Sequence, residues 1–258
     1  LVAIVALVAV FQERVVWQPP PHGPLDEPAT DAGRRVTYLA EDGQPLFGYL
    51  VAPPPASHPW NGRVLLAFHG NAETARGRLE WARSVARETG WRVFVPEYRG
   101  YAGLPGEPTY AGSQADARAA YAFVRDSLGV PPGRIGIHGF SLGTAVATEL
   151  ASEVRPSVLV LEAPFTSARD MARAGVLLPA RLLWRWIARV HFDTRARVAA
   201  LDAPVWVAHG GRDLIVPVRM GRAVHAAARA KGEYLEIPEA GHNDLGAPAQ
   251  DPYWGWLR

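Results

Sequence analysis

A serine between two glycines, Ser141 in the stretch GFSLG (139–143), is the best candidate nucleophile in this sequence. A short apolar run that predicts a β-strand precedes it, and a helical pattern begins at Thr144. Strand, G-x-S-x-G and helix in this order are typical of a nucleophile elbow, a tight turn that presents a serine above a helix N-terminus. Such a turn leaves no room for side chains at positions 139 and 143, and both are glycine. The alternative is an ordinary glycine-rich turn before a helix.

A serine hydroxyl barely ionises at neutral pH, so it needs a base within hydrogen-bonding distance, and histidine suits this role. Of the eight histidines, His242 is the best candidate because it lies in a loop, AGHND (240–244), just after the last predicted strand. Loops at the carboxyl ends of parallel strands face one crevice, so His242 and Ser141 should meet there. We interpret six others as structural or surface residues: His22, His58, His69, His138, His209 and His225.

A carboxylate is needed to orient the histidine and stabilise its charged form. Asp213, in HGGRDLIVP (209–217), follows a predicted strand and should lie at the same sheet edge. The chain order is then Ser141, Asp213 and His242, which is the order of an α/β-hydrolase triad. Asp213 could instead close a local turn or cap the next helix. Asp244 and Glu162 are alternative acids.

Two backbone N–H groups are expected to stabilise the oxyanion that attack on a carbonyl would create. One belongs to Leu142, directly after the predicted nucleophile. The other should come from the loop that follows the strand at 63–68, where His-Gly precedes Asn71 and Ala72. A plain strand-ending turn is the alternative for that loop.

Strands alternate with helical patterns from residue 63 onward, which predicts an α/β fold with a mostly parallel, doubly wound sheet and helices on both faces. A hairpin precedes this alternation. The predicted strands are 34–40, 46–52, 63–68, 91–95, 134–138, 157–161, 204–208 and 234–237. The stretch at about 165–203 is too long for one crossover, and we interpret it as a helical cap insertion. A single amphipathic crossover helix is the alternative.

Composition excludes several classes of protein. Of 258 residues, 48% are hydrophobic and 20% are charged, which is typical of a globular chain rather than a disordered one. The absence of cysteine excludes disulfides, a thiol nucleophile and thiolate metal sites. The net charge of +2 and the lack of a basic aromatic cluster do not favour nucleic-acid binding. We expect no cofactor, because neither a metal-binding cluster nor a phosphate-binding glycine motif is evident.

The start of the chain is unusually apolar, since residues 1–11 (LVAIVALVAVF) contain no polar side chain. We interpret 1–17 as a hydrophobic stretch at the N-terminus and a possible membrane anchor. Residues 18–32 are interpreted as a proline-rich tether and 33–258 as the α/β domain. A signal-peptide core or a buried core element could give the same run. We expect a membrane-associated protein; a secreted or cytoplasmic location is the alternative.

Seven stretches of the sequence together resemble a known family. They are FQERVVWQPP near the start, HGNAE (69–73), EYRGYAG (97–103), GFSLGTAVA (139–147), LEAPFTS (161–167), HGGRDLIVP (209–217) and GHND (241–244). In this order they resemble the α/β-hydrolase superfamily, and within it the Bem46-like group, which includes α/β-hydrolase domain-containing proteins 13 and 17. The similarity covers roughly residues 11–246. Ala102 departs from the group's pattern, in which a glycine is usual, and this puts the local turn in doubt.

The resemblance implies Ser141, Asp213 and His242 as nucleophile, acid and base, with Asn71 and Leu142 supplying the oxyanion N–H groups. It also favours an N-terminal hydrophobic anchor. We therefore expect a serine hydrolase that cleaves an ester or thioester, with a small-molecule or lipid-like acyl substrate. A serine peptidase of the same fold and a non-catalytic, membrane-anchored scaffold are the alternatives.

Overall fold

Eight strands form one sheet in the computed structural model, which describes residues 12–14, 16–21, 33–54, 59–175, 190–247 and 251–258. The strands are β1 (Arg34–Leu39), β2 (Pro45–Val51), β3 (Val64–Phe68), β4 (Arg92–Pro96), β5 (Ile135–Phe140), β6 (Leu159–Glu162), β7 (Val205–Gly210) and β8 (Lys231–Ile237). Their order across the sheet is β1-β2-β4-β3-β5-β6-β7-β8. Strand β2 is antiparallel to both β1 and β4, and the remaining neighbours are parallel. The predicted α/β class and the mostly parallel sheet are confirmed.

Helices cover both faces of the sheet because the side chains of each inner strand alternate between two cores. On β3, Leu66 belongs to one core and Leu65 to the other. The described helices are α1 (Leu79–Thr89), α2 (Tyr110–Ala122), α3 (Leu142–Val154), α4 (Ala168–Gly175), α5 (Thr194–Val198), α6 (Val218–Ala227) and α7 (Asp251–Leu257). Helices α1 and α7 pack on the face of Leu65, and α2, α3, α5 and α6 pack on the face of Leu66.

Element boundaries differ from the sequence prediction in a few places. A 3-10 turn (Arg76–Arg78) leads directly into α1, and a π-helical turn (Phe123–Ser127) follows α2. Strand β8 begins at Lys231, three residues earlier than its apolar pattern indicates. The reason is that β8 is an edge strand, where charged residues such as Lys231 are tolerated and mask the pattern.

The turn at Ala102 keeps a conformation that normally favours glycine. Its φ is 46°, between Gly100 and Gly103, which both have a φ of 76°. Replacing the usual glycine by alanine has therefore left the left-handed turn in place, at the steric cost that a Cβ brings there.

Some sequence predictions fall outside the described residues. These are the apolar run at 1–11, most of the proline-rich tether (22–32) and the middle of the predicted cap insertion (176–189). The described ends of the insertion contain α4 and α5. No helix in the described part of the chain is both long enough and apolar enough to span a membrane.

A buried polar contact holds helix α7 against the Leu65 face of the sheet. The Tyr253 hydroxyl donates to Glu162 Oε1 at the end of β6 and accepts a hydrogen bond from Trp81 Nε1 at 2.8 Å. Tyr253 and Glu162 are both buried. One hydroxyl thus satisfies two buried groups that solvent does not reach.

Replacing Tyr253 with phenylalanine should lower the free energy of unfolding by roughly 1–3 kcal/mol, because both of its partners stay buried with one bond fewer. Urea unfolding followed by tryptophan fluorescence would measure this. Tyr234→Phe is the matched control, since Tyr234 also donates to a carboxylate (Glu236, 3.0 Å) but at the surface, where Arg222 pairs with the same group. We expect the control to stay within about 0.5 kcal/mol. Equal losses in the two variants would contradict this account.

Candidate active site

Ser141 occupies a sharp turn between β5, which ends at Phe140, and α3, which begins at Leu142. Its backbone has a φ of 50° and a ψ of −117°, a combination that costs free energy for a residue with a side chain. A Cβ at residue 139 would lie 2.3 Å from Gly143 O, and one at residue 143 would lie 2.3 Å from Phe68 O. The two glycines are therefore required by close backbone approach on both sides of the serine.

The structure brings Ser141, His242 and Asp213 together at the carboxyl edge of the sheet. His242 Nε2 lies 2.9 Å from Ser141 Oγ, and His242 Nδ1 lies 2.7 Å from Asp213 Oδ2. These residues follow β5, β8 and β7, which are mutually parallel and so end at one edge. The side chain of His242 is 8% exposed and that of Asp213 is fully buried. One imidazole therefore bridges a hydroxyl and a carboxylate.

The two oxygens of Asp213 have different partners. Oδ1 accepts hydrogen bonds from the backbone N–H groups of Ile215 and Val216, each at 2.8 Å, which is the local turn considered above. Oδ2 faces His242 and also lies 3.3 Å from His209 Nε2. Burial opposes ionisation, but the hydrogen bonds from His209, His242 and Val216 hold the pKa of Asp213 well below its usual range. Asp213 is thus a buried, ionised carboxylate beside His242.

The two alternative acids contact other groups. Asp244 Oδ2 accepts a hydrogen bond from Gly241 N at 2.7 Å, which closes the turn that carries His242. Glu162 Oε1 lies 2.8 Å from His138 Nε2 and contacts Tyr253. Neither carboxylate therefore occupies the position beside His242 that Asp213 fills.

The loop after β3, which supplies the predicted oxyanion donor, lies against the elbow. A Cβ at residue 143 would come within 2.6 Å of His69 O, so the start of this loop contacts the start of α3. Leu142 is the first residue of α3, and an N–H at that position has no partner within its helix. In the loop itself, Ala72 has a φ of 52°. The loop and the helix start are neighbours, as an oxyanion site requires.

A buried ion pair beneath this loop was missed by the sequence analysis. His69 Nε2 lies 2.8 Å from Glu97 Oε1, and neither side chain is exposed. Burial disfavours the charged imidazole, but the carboxylate of Glu97 raises the pKa of His69 above its ordinary value. Glu97 Oε2 also accepts a hydrogen bond from Ala75 N at 2.9 Å. The pair joins the loop after β3 to the end of β4. His69 lies in the motif HGNAE and Glu97 in EYRGYAG, but neither motif predicts that the two side chains contact each other.

A second missed contact involves the start of the chain. The side chain of Asn71 accepts a hydrogen bond from Gln18 N and donates one to Val16 O. Both main-chain groups belong to the stretch FQERVVWQPP, which was noted only for its family resemblance. No residue pattern in it predicts a contact with Asn71. Among the described residues, no group of three or more His, Asp or Glu side chains is arranged to hold a metal ion.

The fold and the geometry of this edge define an α/β hydrolase. A family model described as "alpha/beta hydrolase fold" matches residues 63–197, about half of the chain, and the chain belongs to this family. An esterase from Pyrococcus furiosus, Pf2001, superimposes with a TM-score of 0.70 at 18% identity, over 93% of this chain and 98% of that one. At that identity the likeness concerns the fold.

Sequence relatives place the chain in the Bem46-like group, as the motifs predicted. An uncharacterized protein of Mycobacterium tuberculosis is 37% identical over 95% of this chain and 88% of its own length. Protein bem46 of Schizosaccharomyces pombe is 29% identical over 81% of this chain and 71% of its own. A protein of Danio rerio named lysophosphatidylserine lipase ABHD12 is 30% identical over 68% of this chain and 49% of its own. The family model and these relatives together place the chain among proteins of the α/β-hydrolase fold.

Replacing Gly143 with alanine should destabilise the protein by roughly 3 kcal/mol, because the added Cβ would overlap Phe68 O and His69 O. Helix propensity alone would favour alanine by about 1 kcal/mol, so the sign of the effect is diagnostic. Thermal unfolding followed by circular dichroism measures it.

Gly133→Ala is the matched control for this change. Gly133 lies in the 3-10 turn just before β5, and a Cβ there would meet no atom within 4 Å. We expect its melting temperature to stay within a few degrees of wild type. An unchanged or raised melting temperature in Gly143→Ala would contradict the packing described for the elbow.

Proposed function

We propose that this protein is a serine hydrolase that cleaves carboxylic ester or thioester bonds through an acyl-enzyme. The observation that carries the proposal is the position of His242, whose two ring nitrogens lie within hydrogen-bonding distance of Ser141 Oγ and Asp213 Oδ2. A hydroxyl, a base and a buried carboxylate in this relation are the arrangement that activates a serine for attack on an acyl carbon.

In the first half of the proposed reaction, Ser141 Oγ forms a bond to the substrate carbonyl carbon while His242 Nε2 takes the hydroxyl proton. The ionised Asp213, held at His242 Nδ1, stabilises the imidazolium that results. The negative charge on the former carbonyl oxygen is stabilised by the backbone N–H groups of Asn71 and Leu142. Loss of one such donor typically costs about 3 kcal/mol of transition-state stabilisation.

Acylation is completed when His242 Nε2 returns its proton to the leaving alcohol or thiol as the bond from the acyl carbon to that group breaks. The acyl group is then bound to Ser141 Oγ. A water molecule then attacks the acyl carbon while His242 Nε2 takes its proton. The second intermediate collapses as the bond from the acyl carbon to Ser141 Oγ breaks, and His242 gives the proton to Oγ, which releases the carboxylic acid and restores the serine hydroxyl. His242 thus accepts one proton and returns it in each of the two stages.

For the substrate we propose a lipid-like acyl ester. Support comes from the lysophosphatidylserine lipase among the relatives, together with the apolar run at residues 1–11, which we propose as a membrane anchor. The insertion at about 165–203 would then supply a cap over the site, and its sequence is rich in apolar residues. An enzyme held at a membrane would meet amphiphilic esters at high local concentration.

Ser141→Ala should abolish hydrolysis of a short p-nitrophenyl ester, with kcat falling by roughly 10⁴-fold or more, because the acyl group has no acceptor. Labelling by a fluorophosphonate should disappear in the same variant. Ser157→Ala is the control, since the Ser157 hydroxyl donates to Ile135 O at 3.0 Å near the opposite edge of the sheet. Wild-type protein that takes no label, or a Ser141→Ala variant with unchanged hydrolysis, would refute the proposed nucleophile.

A series of p-nitrophenyl esters from acetate to palmitate, all below their critical micelle concentrations, tests the lipid-like substrate. A constant leaving group confines the difference to the acyl chain. We expect kcat/KM to rise with chain length by roughly tenfold per pair of fully buried methylenes until the binding cleft is filled. Highest activity on the acetate would reject the lipid assignment while leaving the serine hydrolase assignment intact.

A further inference from the structure

The side chain of Asn71 is more heavily bonded than its position in a half-exposed loop requires. Its Oδ1 accepts hydrogen bonds from Gln18 N at 2.9 Å, Tyr101 Oη at 2.8 Å and Ala72 N at 3.1 Å. Its Nδ2 donates to Val16 O at 2.6 Å. Both ends of the amide therefore contact the N-terminal segment, defined here as residues 16–18, which lies more than 50 residues earlier in the chain.

The N-terminal segment is itself held firmly. Trp17 is 2% exposed, and its ring makes edge contacts with those of Tyr98, Tyr101 and Phe192 at centroid distances of 5.7, 6.5 and 6.4 Å. Trp17 Nε1 donates to Glu13 Oε2 at 3.2 Å, and the same oxygen accepts from Tyr110 N at 3.0 Å. Burial of one tryptophan among three aromatic rings gives the segment a fixed position.

Two carboxylates also hold the loop that this segment contacts: Glu73 Oε2 accepts a hydrogen bond from Gly70 N at 3.1 Å, and Glu97 Oε2 accepts one from Ala75 N at 2.9 Å. Ala72 is exposed and has a φ of 52°, an unfavourable conformation that persists only where its surroundings impose it. The bond from Ala72 N to Asn71 Oδ1 joins the strained residue to the side chain that the N-terminal segment holds. The backbone N–H at residue 71 is the proposed oxyanion donor, so its direction depends on these contacts.

We propose that the Asn71 side chain, clamped by residues 16–18, is a positioning group that sets the direction of the oxyanion N–H at residue 71. This rests on the proposed function and extends it, because it makes the stretch next to the proposed anchor a part of the catalytic apparatus. A displacement of about 1 Å in a catalytic group can cost about 100-fold in rate. Release of the segment therefore lowers catalysis without removing any member of the Ser141, His242 and Asp213 set.

Asn71→Ala tests this in a wild-type background shown to hydrolyse a p-nitrophenyl ester. We expect kcat to fall by about 10- to 100-fold, KM to change by less than about threefold, and a boronic acid that mimics the tetrahedral intermediate to bind more weakly in proportion to kcat. Tyr101→Phe removes only one donor to Asn71 Oδ1 and should give a smaller loss in the same direction. Unchanged kcat in folded Asn71→Ala would overturn the inference.

Asn61→Ala is the matched control, because Asn61 also uses both ends of its amide on the backbone, with Thr89 O and Arg63 N, at the other end of β3. It should leave kcat, KM and boronic acid binding as in wild type. A loss in this control equal to that of Asn71→Ala would mean that general destabilisation explains both, and would overturn the positioning role.

A double-mutant cycle shows whether residue 71 acts through the N-terminal segment. Trp17→Ala removes the aromatic contacts that hold the segment and changes no residue of the loop, and Trp17→Phe keeps an aromatic ring in its place. We expect Trp17→Ala to lower kcat, Trp17→Phe to restore most of it, and the double variant with Asn71→Ala to be no slower than Asn71→Ala alone. Fully additive losses would overturn the coupling. A wild-type protein with no hydrolysis at all would instead refute the proposed function, and this role with it.

Discussion

Close backbone contact at the elbow is the constraint on which the rest of the site depends. Gly139 packs against the backbone of Gly143, and Gly143 packs against the carbonyls at the end of β3. Only residues without a Cβ permit this approach. It turns the chain sharply enough to place Ser141 at the start of α3, and it brings the loop after β3 beside that helix start. The hydroxyl and both proposed oxyanion donors therefore depend on these two packing contacts.

Three histidines at strand ends give the same edge of the sheet its electrostatic character. His69 pairs with Glu97, His138 with Glu162, and His209 approaches Asp213. All three imidazoles are buried, and a buried carboxylate is tolerated where donors such as these surround it. His242 differs because it reaches its carboxylate from a loop and keeps its second nitrogen for Ser141. Of these four imidazoles, His242 is the one that would take the proton of Ser141 in the proposed reaction.

The N-terminal segment links two parts of the protein that the chain keeps far apart. Trp17 packs on the aromatic side chains of the loop after β4 and on Phe192, at the end of the insertion. Its neighbours Val16 and Gln18 hold Asn71 through main-chain groups alone. This segment therefore ends at the sheet edge that carries Ser141 and His242, so the proposed anchor would lie only a few residues from the proposed positioning contacts.

The sequence by itself determined the α/β class, the order of the strands along the chain and the elbow, because these depend on local patterns: apolar runs, glycine spacing and helix periodicity. It also indicated Ser141, Asp213 and His242, since each follows a predicted strand and parallel strands share one edge. It missed the early start of β8, where edge charges hide the strand. Only the tertiary structure decided that Asp213 rather than Asp244 or Glu162 faces His242, that Glu97 meets His69, and that Asn71 holds residues 16–18. Those contacts join loops distant in sequence, and the partners of Asn71 in residues 16–18 are main-chain groups, which carry no side-chain signature that a pattern could reveal.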